Sequence, residues 1–205
     1  MLDSKRLIVV FDFDGTITRK DTFTAFIKFA KGKTAFYKAF IRYSPLLLAY
    51  KLRLYPNWKI KQKILSHFFK NMPVDEFTTL GRKFISVIND FVRPEVVAIL
   101  KEYQQQGATV YVISASIENW VEPWCRATGI NNIIATRVAT DANGLLTGHL
   151  STHNCYGQEK VARLLEREPD RETYKLFVYG DSCGDKELMA LADKSRYRDW
   201  KIIKL

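Results

Sequence analysis

Short continuous runs of apolar residues occur at four widely spaced places along the chain. They are 7–11, 110–113, 133–135 and 176–179. Runs of this length without polar alternation are typical of strands buried on both faces. Helical patterns over 94–106 and 159–167 separate some of these runs. Strand and helix in alternation predict an α/β fold, in which a parallel sheet has helices on both faces.

A turn signal lies between the third and fourth apolar runs. Asn143-Gly144 stands between the short apolar pairs 138–139 and 145–146. Asn-Gly flanked by apolar residues is typical of a two-residue β-hairpin turn. The sequence therefore predicts a hairpin here, outside the main sheet.

The segment 19–90 has helical periodicity and almost no strand signal. Three apolar faces repeat at helical spacing, formed by Phe23, Phe26, Ile27 and Ala30, by Ile60, Ile64 and Phe68, and by Phe77, Leu80, Phe84, Val87, Ile88 and Phe91. Ser44-Pro45 resembles an N-cap followed by proline at the first helical position. We expect an all-helical insertion over 19–90, within a core made of 1–18 plus 91–205.

The charge of the chain is concentrated in this helical segment. The 205 residues carry a formal net charge of +10. Residues 16–90 hold 15 Lys/Arg and 4 Asp/Glu, whereas the rest of the chain holds 17 Lys/Arg and 18 Asp/Glu. Solvated helix faces would explain this balance, and so would contact with an anionic partner. Composition alone leaves both interpretations open.

Composition excludes several classes of protein. Three cysteines without a C-x-x-C pair argue against a disulfide scaffold and a cysteine zinc site, and favour a reducing compartment. The start, 1–6, does not resemble a signal peptide, and the best apolar run, 45–50, is too short to span a bilayer. We expect a soluble, cytoplasmic protein.

Acidic side chains follow two of the predicted strands, at the point where each strand ends. Asp12 and Asp14 follow the first strand, and Asp181 and Asp185 follow the last. Because the carboxyl ends of parallel strands lie at one edge of a sheet, these carboxylates are expected to converge. Converging carboxylates repel one another unless a cation lies among them. An all-oxygen set without His or Cys points to Mg²⁺ as the cofactor.

The spacing of Asp12 and Asp14 suggests how such a site would act on a phosphate ester. One carboxylate can attack phosphorus and form an acyl phosphate, while Asp14 gives a proton to the leaving oxygen and later takes one from water. The hydroxyl of Ser114 and the amide of Ala115 are expected to hold the phosphoryl oxygens. Lys160 has the charge to neutralise the developing anion, although a helical lysine also fits a solvent-exposed surface.

Four motifs occur in order over residues 7–185. They are DFDGT at 12–16, VISAS at 112–116, Lys160 and GDSCGD at 180–185. This set resembles the haloacid dehalogenase-like (HAD) hydrolase superfamily. The helical insertion directly after the first motif is similar to the C1-capped subgroup that includes phosphoserine phosphatases. The resemblance implies a Rossmann-like core with an inserted helical cap of the C1 type and a phosphatase activity.

The resemblance also implies roles for the acids. Asp12 would be the nucleophile and Asp14 the general acid and base. Mg²⁺ would be held by Asp12, by the main-chain carbonyl of Asp14 and by Asp181. Asp185 would support the metal directly or through water.

Departures from the phosphoserine phosphatase pattern concern the substrate. Those enzymes usually have Ser-Gly-Gly at the second motif, whereas this chain has Ser114-Ala115-Ser116. Side chains in place of glycines indicate a different leaving group, with Ser116 and Trp120 as candidate substrate contacts, although Trp120 also fits a packing role. Asp21 lies where those enzymes place an acid that binds the substrate amine, and it also fits an ordinary helix N-cap.

The helical segment mixes basic with aromatic residues, which indicates either a lipid-binding surface or ordinary packing. Examples are Phe36, Tyr37, Lys38, Phe40, Arg42, Lys51, Arg53 and Lys61. Such helices can lie on anionic lipid, and the arrangement is similar to the phosphatidylglycerophosphatase C type of capped hydrolase. The expected substrate is a small phosphorylated metabolite or a phospholipid headgroup such as phosphatidylglycerophosphate, with peripheral contact at the inner face of the membrane. No nucleic-acid-binding motif is recognised, so nucleic acid is not expected.

Three functions remain open on the sequence alone. The leading prediction is a Mg²⁺-dependent phosphomonoesterase that works through a phospho-aspartate on Asp12. A phosphoryl transferase or a phosphoserine phosphatase-like enzyme on a soluble metabolite would use the same motifs. In a third interpretation the chain is a non-catalytic module whose basic cap binds a membrane or partner while the acidic core holds Mg²⁺.

Overall fold

A five-stranded parallel sheet forms the centre of the protein, in a computed structural model that describes residues 5–52 and 54–204. Its strands are β1 (Arg6–Phe11), β2 (Thr109–Ile117), β3 (Asn132–Thr136), β6 (Tyr174–Gly180) and β7 (Lys194–Tyr197), in the order β3-β2-β1-β6-β7. A separate antiparallel hairpin consists of β4 (Val138–Thr140) and β5 (Leu146–Leu150). The predicted α/β fold with a parallel, Rossmann-like sheet is confirmed.

The four apolar runs of the sequence become β1, β2, β3 and β6 because each is buried on both faces of the sheet. Val9 and Phe11 pack on one side with α7 (Pro94–Gln105) and α8 (Glu118–Ala127). Ile8 and Val10 pack on the other side with α9 (Gln158–Arg167) and α10 (Lys186–Leu191). β7 was not predicted, since its sequence KSRY is polar and largely exposed at the sheet edge.

Six helices lie between β1 and α7 in the described part of the chain. They are α1 (Thr22–Lys31), α2 (Lys33–Arg42), α3 (Ser44–Lys51), α4 (Asn57–Phe69), α5 (Val74–Lys83) and α6 (Ile85–Asn89). Two parts of the sequence predictions lie outside the described residues. They are Arg53, one of the basic residues of the helical segment, and residues 1–4, where no signal peptide is expected.

An aromatic cluster joins these helices to the rest of the protein. The indole of Trp120 on α8 stacks on Phe26 of α1, with ring centroids 4.3 Å apart. Phe26 also contacts Phe69, Phe77 and Phe84, which come from α4, from α5 and from the residue after α5. Burial of these large rings fixes the helices against α8.

Main-chain hydrogen bonds also tie the helical segment to the hairpin. The amide of Asn71 donates to the carbonyl of Leu146, and the amide of Leu146 donates to the carbonyl of Met72. The amide of Val74 donates to the carbonyl of Gly144. The connection between α4 and α5 therefore pairs with the hairpin like an additional strand.

Two local predictions need correction. The hairpin turn does not have two residues: β4 ends at Thr140 and β5 begins at Leu146, and the Asp141 carboxylate accepts the amides of Asn143 and Leu145 to organise a longer loop. Ser44 is not the N-cap of α3 but its first residue, and its hydroxyl donates back to the carbonyl of Ile41 at the end of α2.

The C-terminal segment is anchored to the sheet by two buried tyrosines. The hydroxyls of Tyr103 and Tyr179 lie 2.9 Å apart, and Tyr103 donates to the carbonyl of Ile203 at 3.0 Å. The amide of Ile203 lies within hydrogen-bond distance of both hydroxyls. This cluster satisfies main-chain groups that the fold removes from water.

We expect Tyr103→Phe to lower the free energy of unfolding by about 1–3 kcal/mol, because the buried carbonyl of Ile203 loses its donor. Urea denaturation at neutral pH measures the change. Tyr37→Phe is the matched control, since Tyr37 is 54% exposed and its substitution should leave the midpoint unchanged. Equal midpoints for the two variants would contradict the prediction.

Candidate active site

The carboxyl ends of β1, β2 and β6 meet at a cavity of about 410 Å³. The register of the sheet places them side by side, because Phe11 pairs with Val112 on one side and with Tyr179 on the other. The cavity is lined by most of the residues singled out from the sequence: Asp12, Asp14, Asp21, Ser114, Ala115, Ser116, Lys160 and Asp181. The motifs that lie far apart in the sequence thus face one space.

Three acids form a compact cluster, of which Asp12 and Asp181 line the cavity and Asp185 lies behind them. Oxygens of Asp12, Asp181 and Asp185 lie within 4.8 Å of one another. Asp12 and Asp185 are buried, and Asp181 is half-buried. Close approach of Asp181 depends on Gly15, whose φ is +84°, because a Cβ at that position would lie 2.2 Å from a carboxylate oxygen of Asp181.

Lys160 provides the positive charge in direct contact with the cluster. Its side chain is 2% exposed, and its ammonium donates to Asp12 Oδ1 at 2.5 Å, to Asp185 Oδ1 at 2.7 Å and to the carbonyl of Ile113 at 3.0 Å. All three N–H groups therefore have acceptors within the protein. The alternative of a solvent-exposed helical lysine does not hold, because α9 directs Lys160 into the core.

Asp185 organises the loop that follows β6. Its Oδ2 accepts hydrogen bonds from the amides of Asp181 and Ser182 and from the hydroxyl of Ser182. These bonds and the Lys160 contact hold the pKa of Asp185 below its ordinary value, although burial opposes them. Asp185 therefore fixes the position of Asp181 as well as contributing an oxygen to the cluster.

The acid cluster carries more negative charge than one lysine neutralises. Burial raises the pKa of Asp12 to about 8 against the attraction of Lys160, and the charge of Asp185 adds to the rise. Burial and Asp185 also raise the pKa of Asp181. Three carboxylates and one ammonium leave a site that favours a divalent cation.

The donor set fits Mg²⁺. The three cluster residues offer carboxylate oxygens, which hard cations prefer, and the space beside Gly15 admits the Asp181 carboxylate. Asp12, Asp181 and Asp185 are thus the residues that would hold the ion.

The carboxylate of Asp14 lies in a different environment from that of Asp12. Its Oδ1 accepts the amide of Thr22 at 2.9 Å, and its Oδ2 accepts a short hydrogen bond from the hydroxyl of Ser116. Burial raises the pKa of Asp14 to about 6, aided by the charge of Asp21 and opposed by these hydrogen bonds. Asp14 is therefore turned toward α1 and β2, away from the acid cluster.

A directed chain of hydrogen bonds ends at Asp14. The indole N–H of Trp120 donates to the hydroxyl of Thr22 at 3.0 Å. The Thr22 and Ser116 hydroxyls lie 2.9 Å apart, and the Ser116 hydroxyl donates to Asp14. Because an indole only donates and a carboxylate only accepts, the two hydroxyl protons point toward Asp14.

Two of the candidate substrate contacts have structural partners. Trp120 is fully buried among aromatic rings and lies outside the set of residues that line the cavity. Asp21 is the N-cap of α1, with its Oδ1 accepting the amide of Thr24 at 2.8 Å, and it lies at the cavity edge.

Sequence reasoning missed Lys61 as a cavity residue. Lys61 is 7% exposed, lines the cavity and donates to the carbonyl of Ala115. A signal was present, because Lys61 is spaced four residues from Leu65 and lies next to Ile60 on the apolar side of its helix. A cation at such a position is costly unless it has partners.

The parallel sheet and the acids at its carboxyl edge place the chain among α/β enzymes that bind ligands at that edge. The family model described as haloacid dehalogenase-like hydrolase matches residues 9–190, and the chain belongs to this family. The predicted family is thereby confirmed.

Individual relatives agree with this assignment. The chain is 34% identical over 194 residues to Protein CicA of Caulobacter vibrioides, covering 94% of this chain and 86% of CicA. It is 29% identical over 126 residues to a histidinol-phosphatase of Neisseria meningitidis, covering 58% of this chain and 57% of that protein. The fold resembles a substrate-bound phosphoserine phosphatase, with a TM-score of 0.67, 17% identity and coverage of 94% and 85%. The family and the histidinol-phosphatase relative agree with the predicted enzyme class, a phosphatase, and the solved structure agrees with the predicted fold.

Every helix within residues 5–52 and 54–204 is too short or too polar to cross a membrane.

We expect Gly15→Ala to weaken Mg²⁺ binding about 10-fold or more, because the new methyl group displaces the Asp181 carboxylate from the cluster. Isothermal titration calorimetry with MgCl₂ measures the affinity directly.

Gly107→Ala is the matched control, since Gly107 has a similar φ of +78° and no atom within 4 Å of its Cβ position. Both variants should lose about 1 kcal/mol of stability from backbone strain, and Gly15→Ala alone should lose metal affinity. Unchanged Mg²⁺ affinity in Gly15→Ala would count against a metal site at these acids.

Proposed function

We propose that the protein is a Mg²⁺-dependent phosphomonoesterase that forms a phospho-aspartate on Asp12. The observation that carries the proposal is the different placement of two neighbouring carboxylates. Asp12 contacts Lys160 within the acid cluster, whereas Asp14 is held by Thr22 and Ser116 on the other side of the loop. Asp12 is thus suited to attack phosphorus, and Asp14, two residues further on, is suited to transfer protons.

The Asp12 carboxylate attacks the phosphorus of the bound ester, and the bond between phosphorus and the leaving oxygen breaks. Asp14, with a pKa of about 6, donates its proton to the leaving oxygen. Asp14 then accepts a proton from the water that attacks the phospho-aspartate, and this attack releases phosphate and restores Asp12. Asp12, Asp181 and Asp185 would hold Mg²⁺, with the main-chain carbonyl of Asp14 as a further ligand. The ion would supply positive charge that offsets the charge of the acids and of the phosphoryl oxygens.

The end of β2 provides donors for the phosphoryl oxygens. The Ser114 oxygen accepts the amide of Ser116 at 3.0 Å, which leaves its own proton free to donate to a ligand. Ser114 and Ala115 both line the cavity beside Asp12. Lys160 stabilises the carboxylate form of Asp12 by direct contact, and its charge also lies close to the position of the phosphoryl group.

We propose that residues 1–18 and 91–205 form the catalytic core and that residues 19–90 form a cap over it. The cap contributes the amide of Thr22 to Asp14, as well as the side chains of Leu47, Tyr50 and Lys61 to the cavity wall. Relatives named as histidinol-phosphatase and phosphoserine phosphatase act on phosphorylated small molecules, and this supports the reaction class without fixing the substrate.

We expect Asp12→Asn to reduce phosphate release from p-nitrophenyl phosphate by at least about 10³-fold, because an amide is a poor nucleophile. Removal of Mg²⁺ with EDTA should have a similar effect, and MgCl₂ should restore activity. Asp170→Asn, at an exposed acid, controls for the loss of charge and should keep full activity. Full activity in Asp12→Asn would exclude the phospho-aspartate mechanism.

We further propose that the substrate phosphate is a lipid headgroup at an anionic membrane surface. Residues 22–74 contain eleven Lys/Arg and no Asp or Glu. Large apolar side chains on α2 and α3 face solvent beside these cations, and none of the residues of α3 is buried. We call this the α2–α3 surface; its exposed members are Tyr37, Phe40, Ile41, Leu48, Tyr50, Lys33, Lys38, Arg42 and Lys51.

The α2–α3 surface lies next to the cavity mouth. Leu47 and Tyr50 of α3 line the cavity that also contains Asp12. Exposed apolar side chains among cations are suited to insertion at a lipid interface, where each cation also gains attraction to anionic headgroups. Docking by this surface would bring a headgroup phosphate close to the acids.

We expect the protein to co-sediment at low salt with vesicles containing phosphatidylglycerol and not with pure phosphatidylcholine vesicles. Tyr37→Glu should reduce binding about 5-fold or more, because it removes an apolar contact and adds a repelled charge. Tyr197→Glu is the matched control, since Tyr197 is similarly exposed on β7. Absence of binding, with turnover of soluble phosphates, would assign a soluble metabolite as the substrate.

A further inference from the structure

A second buried lysine faces the cavity from the cap side. Lys61 lies on α4 and is 7% exposed. Its ammonium donates to the carbonyl of Ala115 and to Asn154 Oδ1, both at 2.7 Å. Ile60, Leu65 and Phe69 are buried on the same helix and fix its position. Lys61 is therefore held in place at the cavity wall.

Lys61 differs from Lys160 in its partners. Lys160 contacts two carboxylates, whereas both acceptors of Lys61 are neutral and no carboxylate of the described residues lies within salt-bridge distance of it. An ammonium group has three N–H donors, so one donor of Lys61 remains without a protein acceptor in the described part of the chain.

A buried cation without a counter-ion is unfavourable for the free protein. Burial lowers the pKa of Lys61 to about 8, although the charges of Asp21 and Asp14 oppose the shift. The folded protein therefore binds the Lys61 proton less tightly than the unfolded chain does, and below pH 8 it carries the full cost of burying this charge. A group that reduces stability and lines a binding cavity is expected to be compensated when an anionic ligand binds.

The main-chain acceptor of Lys61 does not depend on it. The carbonyl of Ala115 also accepts a hydrogen bond from the hydroxyl of Thr136 at 2.8 Å. Thr136 has a single hydroxyl proton, so Asn154 Oδ1, 3.4 Å from the same oxygen, has Lys61 as its donor. If the role of Lys61 were only to hold the end of β2 in place, the Ala115 carbonyl would need it as a donor, whereas this carbonyl keeps a partner when the ammonium is removed.

The part of the cavity around Lys61 is suited to a leaving group. Phe23, Leu47, Ile60 and Ile64 line it on the cap side, and the phosphoryl-binding residues lie on the core side. An anionic substituent near the scissile ester would meet Lys61, and the remainder of the leaving group would lie against apolar side chains.

We propose that Lys61 binds a second negative charge on the leaving group, so that the enzyme selects phosphomonoesters that carry another anionic group close to the scissile phosphate. This inference rests on the proposed phosphatase function and adds a specificity-determining residue to it. The anionic group is a carboxylate or a second phosphate, since either accepts a charge-assisted hydrogen bond from an ammonium.

The test compares substrates in matched pairs, with and without the second charge. 3-Phosphoglycerate and glycerol 2,3-bisphosphate are each paired with glycerol 3-phosphate. The wild-type enzyme should prefer the charged member of at least one pair by about 10-fold or more in kcat/KM. The pair that shows the preference identifies the anionic group that Lys61 binds, either a carboxylate or a second phosphate.

Lys61→Met should abolish this preference mainly by raising KM for the charged member, with a smaller change in kcat for either member of the pair. Lys63→Met is the matched control, because Lys63 lies on the exposed side of the same helix and its loss should leave the preference unchanged. The melting temperature of Lys61→Met should equal or exceed that of wild type, since a buried charge has been removed.

Two results would overturn the inference. The first is an equal loss of activity on charged, uncharged and aryl substrates, together with a lowered melting temperature. This result would mean that Lys61 only stabilises the fold, through its hydrogen bond to the carbonyl of Ala115. The second is the absence of any preference for charged substrates in the wild type. Failure of the phosphatase function itself is recognised separately, because wild-type protein with Mg²⁺ would then release no phosphate from p-nitrophenyl phosphate.

Discussion

One buried ammonium group, that of Lys160, holds the ends of three strands together. It contacts Asp12 after β1, the carbonyl of Ile113 in β2 and Asp185 after β6. A cation removed from water is stable only when such acceptors surround it. The sheet register, the loop after β6 and the position of α9 must therefore together place these acceptors around the ammonium of Lys160. The same contacts gather more carboxylates than one lysine neutralises, and this imbalance of charge favours a divalent cation at the site.

The inserted helices take part in this arrangement and do not merely cover it. The amide of Thr22 and the hydroxyl of Ser116 hold Asp14 apart from Asp12, and Trp120 orients Thr22 while packing against Phe26. A single aromatic side chain thus joins the packing of the cap to Asp14, the carboxyl group proposed to transfer protons. Packing defects in this cluster would change the geometry at Asp14 as well as the stability of the fold.

The sequence was sufficient for the features that depend on local pattern. Continuous apolar runs identified β1, β2, β3 and β6, and the acids that follow β1 and β6 converge as the topology of a parallel sheet requires. Features that depend on distant partners were not predictable. Rings from α1 and α5 pack against Trp120 and bury it. The Asp141 carboxylate sets the hairpin loop, and the position of α4 brings Lys61 to Ala115.

The pairing of the connection between α4 and α5 with the hairpin has a consequence for access to the cavity. Movement of the whole insertion as one rigid body would break the main-chain bonds of Asn71, Leu146 and Val74. Among the described residues, the opposite end of the insertion is less buried, because α2 buries only Ala39 and α3 buries no residue. Displacement of α2 and α3 would therefore cost less free energy than movement of the whole insertion, and Leu47 and Tyr50 of α3 border the cavity.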